Sequence, residues 1–202
     1  MGVLRVHRAA LRCGALAALL ALVAAVSGCA GSPTGGTTST PSTPQATATP
    51  TASATGYAVS VYFARHTASD EDPTRVFAVA RTSPTLGVAT YAISQLLVGP
   101  TASEKSAGYY SPWEGVLTGA SNCGGPDFTI ALDHRGTTPA PGVVTLRFCR
   151  TTPIPGELAG ARMETTARAT LLQFPNIKSV VILNASGACF DDLSGRNACL
   201  AG

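Results

Sequence analysis

The 202 residues contain no Cys-x-x-Cys pair, no Gly-x-Ser-x-Gly elbow, no Ser-x-x-Lys and no phosphate-cradling Gly-x-x-x-x-Gly-Lys-[Ser/Thr] loop. These absences argue against structural zinc, the common serine hydrolases and P-loop nucleotide binding. Histidine is scarce, with only His66 and His134 beyond position 7. Charge is sparse as well. Setting Arg5, Arg8 and Arg12 aside from the 14 basic residues leaves 11, against 11 acidic ones, and no basic run remains. A formally neutral chain without a basic stripe excludes nucleic acid as the expected ligand.

What the chain does have begins with a leader. Arg5, Arg8 and Arg12 form a positive start, and Gly14 to Val26 is an uncharged Ala/Leu/Val stretch. That pattern is a signal peptide, with positive charge held on the cytoplasmic side and the remainder exported. An uncleaved anchor is the rival, because Cys13 to Gly31 approaches the roughly 20 residues of a spanning helix. Its far end, however, is Val26-Ser27-Gly28-Cys29, small residues that suit cleavage. These four residues resemble a bacterial lipobox, in which the cysteine receives a diacylglycerol. The resemblance implies a signal peptide over 1–28 and a lipid anchor at Cys29. It places the remainder at the cell membrane, on its extracytoplasmic side.

Residues 30–55 carry no charge, no aromatic and no large aliphatic side chain. Such a Ser/Thr/Pro/Gly tract cannot bury enough apolar surface to offset its ordering entropy, so residues 29–55 are expected to form a disordered linker. As a flexible coil the tract spans roughly 28 Å. Residues 56–202 remain, a common size for one domain with one core.

Four cysteines fall in that domain: Cys123, Cys149, Cys189 and Cys199. An even number in an exported chain points to two disulfides. Of three possible pairings, Cys123–Cys149 and Cys189–Cys199 are preferred, since each closes a short loop.

Tyr57, Val59, Val61 and Phe63 alternate with smaller or more polar residues, the period-two mark of a strand. Arg75 to Arg81 reads as a second strand. Ser83-Pro84 reads as a helix start, with Leu86, Ala89, Ile93, Leu96 and Leu97 at helical spacing until Gly99-Pro100. Thr101 to Asp127 is read as irregular. Phe128, Ile130 and Leu132 mark a third strand, His134 to Gly136 a connection, and Val144 to Cys149 a fourth strand. A second helix carries Met163, Ala167, Leu171 and Phe174 on one face, and the apolar run Ile177 to Leu183 suits a covered strand. The expected class is α+β, with about five strands in one mixed sheet and two helices.

Two stretches carry a family resemblance. Leu96-Leu97-Val98-Gly99-Pro100-Thr101, followed by Glu104 and Gly108-Tyr109-Tyr110-Ser111-Pro112, is one. Thr170-Leu171-Leu172-Gln173-Phe174-Pro175-Asn176-Ile177 through Val180 is the other, and Tyr62 suits the opening strand. Together they resemble the GerMN domain of sporulation and spore-germination proteins. The Asn184-Ala185-Ser186-Gly187 turn and the Cys189–Cys199 tail depart from its pattern. The resemblance implies an envelope lipoprotein in an interaction or scaffolding role, not an enzyme, with no catalytic residue or cofactor to carry over. The partner it implies is an envelope protein or a cell-wall component.

Remaining candidates are few. His66 with Asp70, Glu71 and Asp72 has metal-ligand chemistry, but reads first as a solvated acidic loop. His134 reads as a turn residue and Asp191-Asp192 as surface charge. Asn184-Ala185-Ser186 matches a glycosylation sequon by pattern. Tyr109, Tyr110 and Trp113 are the candidate interaction residues, because loop aromatics anchor interfaces or stack on sugars. A glycan- or small-solute-binding lipoprotein using this aromatic loop is the alternative function. Inward folding of the same aromatics to cap the core is the competing expectation.

Overall fold

The computed structural model describes residues 56–202. The leader, Cys29 and the linker fall outside the described residues. Among those described, no helix is long and apolar enough to cross a membrane.

The class is α+β, with six strands and four α-helices among the described residues. Strand β1 (Tyr57–Arg65) pairs antiparallel with β2 (Phe77–Ser83) and, at its end, with the short β3 (Tyr109–Tyr110). Strand β4 (Phe128–Arg135) pairs antiparallel with β5 (Thr138–Phe148), and β5 pairs parallel with β6 (Ser179–Leu183). Two longer helices, α2 (Val88–Val98) and α4 (Glu157–Leu172), accompany two single-turn helices, α1 (Ala68–Glu71) and α3 (Ala102–Ser106). The strands thus form two three-stranded sheets, and only β4-β5-β6 is mixed.

One core joins both sheets. Val59, Val61 and Phe63 of β1 and Val144, Leu146 and Phe148 of β5 share one buried cluster with Ile93 and Leu96 of α2 and Met163, Ala167 and Leu171 of α4. Period two puts every one of those strand residues on an inner face. β6 is buried from Val180 to Leu183, as its continuous apolar run requires.

The division into two sheets has a side-chain cause. Ahead of its short pairing with β3, the edge of β1 opposite β2 is satisfied by α4 and its cap rather than by a strand. Ser60 N donates to Gln173 Oε1 at 2.7 Å, Gln173 Nε2 donates back to Ser60 O at 2.6 Å, and Tyr62 N donates to Thr170 Oγ1 at 3.1 Å. On β6, Arg168 Nη1 donates to Val180 O, and Phe190 N donates to Ile182 O. Side chains on β1, and the Arg168 side chain together with the Phe190 main-chain amide on β6, therefore occupy edges where further strands would otherwise pair.

Several boundaries differ from expectation. β2 runs through Ser83, whose buried hydroxyl accepts from Thr85 N and donates to Thr85 O, so it closes a turn and caps no helix. α2 begins only after Gly87, which leaves Leu86 outside it. The Thr101–Asp127 segment holds α3 and β3. α3 is fixed by a reciprocal cap in which Thr101 N donates to Glu104 Oε2 and Glu104 N to Thr101 Oγ1. His134 and Arg135 belong to β4 beyond a bulge, and the hairpin turns at Gly136-Thr137. Phe174 lies just past α4, half-buried.

Both disulfides are present in the preferred pairing, Cys123–Cys149 and Cys189–Cys199. The second pins a tail whose Cys199 and Leu200 cover Val143, Val181 and Leu183 on the outer face of the mixed sheet. Gly136 shows how close that tail lies. At φ +63° a side chain is disfavoured, and a Cβ there would come within 2.8 Å of Leu200 Cδ2. Each crosslink is expected to stabilise by about 3 kcal/mol on the chain-entropy argument. Non-reducing peptide mapping should recover these two pairs, and reduction should lower the unfolding midpoint without changing the secondary structure.

Candidate functional site

The aromatic segment divides on folding. Trp113 is buried, 1% exposed, with its ring stacked on Phe148 at 4.2 Å and tilted against Phe190 at 5.2 Å. Its Nε1–H donates to Met163 O at 2.8 Å. A side chain so placed is a core pillar, so Trp113 is corrected from interaction residue to packing residue. Tyr109 is half-buried edge-on to Phe77, with the Arg65 guanidinium 5.5 Å from its ring centre. Tyr110 is half-buried and stacks on His66 at 4.6 Å.

Tyr110 also organises the acidic loop. Its hydroxyl donates to Asp70 Oδ1 at 2.9 Å, while Asp70 Oδ2 accepts from Thr67 N and lies 3.3 Å from His66 Nδ1. Burial and the carboxylate bond raise the Tyr110 phenol to about 12, and the same bond, with Thr67 and His66, holds Asp70 below its usual value. Asp72 turns away and binds Thr74. The Asp70 and Asp72 carboxylates are thus engaged in loop closure. Among the described residues no three His, Cys, Asp or Glu side chains converge as metal ligands.

Other candidates have local structural uses. His134 Nδ1 donates to Leu132 O at the β4 bulge, so it is a strand residue rather than a turn residue. Asn184 Oδ1 accepts from Ser186 N, Ser186 Oγ and Ala188 N, which fixes the turn after β6. Asp192 Oδ1 and Oδ2 close the tail loop through Ser194 and Asn197. Asp191 packs beside Gly160, and burial, then Glu164 and Glu157, raise its carboxyl.

The residues of the two quoted motifs are likewise architectural. Gly99 ends α2 at φ +88°, where a Cβ would sit 2.5 Å from Glu114 Oε2. Glu104 receives both Arg81 Nη1 and Nη2 at 2.7 Å, and Gln173 and Thr170 hold the β1 edge.

A surface feature without such a use is an apolar groove of about 210 Å³ between the start of α2, β4 and the turn after α4. Val88, Ala89, Ile130, Phe174 and Ile177 wall it, and no charged residue lines it. Leu86 and Leu132 stand at it 79% and 49% exposed. Sequence reasoning missed both as surface residues. Leu132 keeps strand period, and Leu86 falls at helical spacing although the helix starts later. No family model, curated protein or solved structure matches the chain.

Proposed function

We propose that the chain is a non-enzymatic lipoprotein, anchored through Cys29, whose GerMN-like domain docks an envelope protein partner at the apolar groove. The observation that carries this reading is the pair of exposed leucines, Leu86 and Leu132, at an uncharged groove. Exposed apolar surface of this kind marks interaction sites. The partner that suits it presents aliphatic side chains, because no lining group offers a counter-charge. The lipobox-like Val26-Ser27-Gly28-Cys29 and the tract after it supply anchor and reach.

Crosslinking in intact cells tests the reading with the full chain. Leu86→Asp with Leu132→Asp should abolish the crosslinked species while leaving membrane retention and both disulfides intact. Cys29→Ala should shift the protein to soluble or precursor forms, since stable anchoring needs more than one acyl chain or an equivalent second signal. Unchanged crosslinking in the double variant, or membrane retention of a cleaved Cys29→Ala chain, contradicts the proposal.

A further inference from the structure

We infer that the outer face of the β4–β5–β6 sheet carries a second site, in which Arg135 and Arg147 bind the oxyanion of a small solute, a carboxylate or a phosphate. Both arginines line a groove of about 480 Å³ on the sheet face opposite the shared core. That volume lies within the range of about 300–1,000 Å³ typical of small-ligand pockets. The pinned tail closes one side of it through Leu200.

The charge pattern is the main argument. No carboxylate lines the groove, and neither arginine belongs to an ion pair among the described residues. A guanidinium has five N–H donors. Arg135 Nη1 gives one to Cys199 O at 3.0 Å, and Arg147 Nη2 gives one to Ala185 O at 3.0 Å. Arg147 Nε is buried and makes no hydrogen bond among the described residues. Both side chains are half-buried, and partly desolvated cations without a counter-charge are costly. An incoming oxyanion supplies that counter-charge, and the planar fork of arginine matches carboxylate and phosphate geometry.

The surroundings are prepared for such a ligand. The carbonyls of Cys199 and Ala185 orient the two forks, one from the disulfide-pinned tail and one from the turn after β6. The Thr145 hydroxyl donates to His134 O and accepts from Gly136 N, both at 2.8 Å, and so fixes the hairpin end beside Arg135. Thr129, Thr137 and Thr138 bring exposed hydroxyls to the same groove. Ala131, Leu183 and Leu200 give it an apolar wall, which suits a solute with a short hydrocarbon part. This site is independent of the docking groove, which uses Ile130 and Leu132.

The test is an NMR titration of the arginine Nε–H signals in the full chain, with inorganic phosphate and hexanoate added separately and sodium chloride as the ionic-strength control. Saturable shifts of Arg147 and Arg135 with either anion, absent with chloride, are expected. A response to phosphate alone assigns a phosphorylated solute, and one to hexanoate alone assigns an acidic one. Arg147→Gln and Arg135→Gln should each weaken binding at least about tenfold, the loss of one charge-assisted hydrogen bond. Arg147→Lys keeps the charge without the fork and should fall between. Thr129→Val, on an exposed strand position, serves where an arginine variant fails to fold, and should weaken binding with the disulfides intact. Shifts that follow chloride equally, no saturation by either anion, or unchanged affinity in these variants overturns the inference.

Discussion

Trp113→Ala is expected to bring the domain close to unfolding. The side chain is buried against Phe148 and Phe190 and holds Met163 O on α4, so its removal opens a cavity between β5, Phe190 and α4. Truncation of a buried large aromatic costs about 3–5 kcal/mol, against a domain stability of about 5–15. For a domain of this size that lowers the thermal midpoint by roughly 6–20 °C, at about 2–4 °C per kcal/mol. Trp113→Phe keeps most of the packing and loses the hydrogen bond, for a cost nearer 1–2 kcal/mol. Tyr110→Ala should cost less than Trp113→Ala, because Tyr110 is only half-buried. Thermal denaturation under oxidising conditions checks the order. A Trp113→Ala midpoint within a degree or two of wild type contradicts the placement of this ring in the core.

The second large effect is a pH dependence centred on Glu104. Its carboxylate takes both Arg81 donors, and these bonds lower it from 4.5 to about 2 despite partial burial. The Arg81 guanidinium also lies 5.7 Å from the centre of the Phe63 ring, which ties the pair to the core. Because the folded value lies below the unfolded one, the native state binds fewer protons across that interval. The stabilisation is therefore complete above about pH 4.5 and is lost as the pH falls toward 2. The pair is open to solvent on one side, so screening leaves on the order of 1–2 kcal/mol of that shift as stability. Glu104→Gln should remove that pH-dependent segment and destabilise at neutral pH, since it leaves a partly buried guanidinium without its counter-charge. Urea unfolding of both proteins between pH 2 and 7 should give stability curves that converge at the acid end. Parallel curves over the whole range refute the assignment.

Much of the fold is legible in residue order. Period two marks β1 and the end of β5, a continuous apolar run marks β6, and an even cysteine count with short loop closures points to both crosslinks. The division of the sheet is not legible. It rests on Gln173 and Thr170 reaching backbone groups of Ser60 and Tyr62, more than 100 residues earlier in the chain. Trp113 lies in a segment with no period at all, so burial and exposure look alike there until the neighbours are known. The α3 cap is different, because Thr101 and Glu104 carry a start signal that a single turn leaves too short to show as periodicity. For the candidate sites, Leu86 looks like helix core and Arg147 like a solvated strand position. What distinguishes them is a late helix start and a missing counter-ion, both properties of the folded surface.

The hold of Gln173 and Thr170 on β1 also bears on self-association. A strand with bare N–H and C=O groups is a template for a strand from another copy, the starting geometry of fibrous aggregation. Here the Ser60 amide and carbonyl and the Tyr62 amide are already occupied from within the same molecule. The helix end thus serves as a stopper, and a strand from a second copy finds no free partner at those three groups of β1.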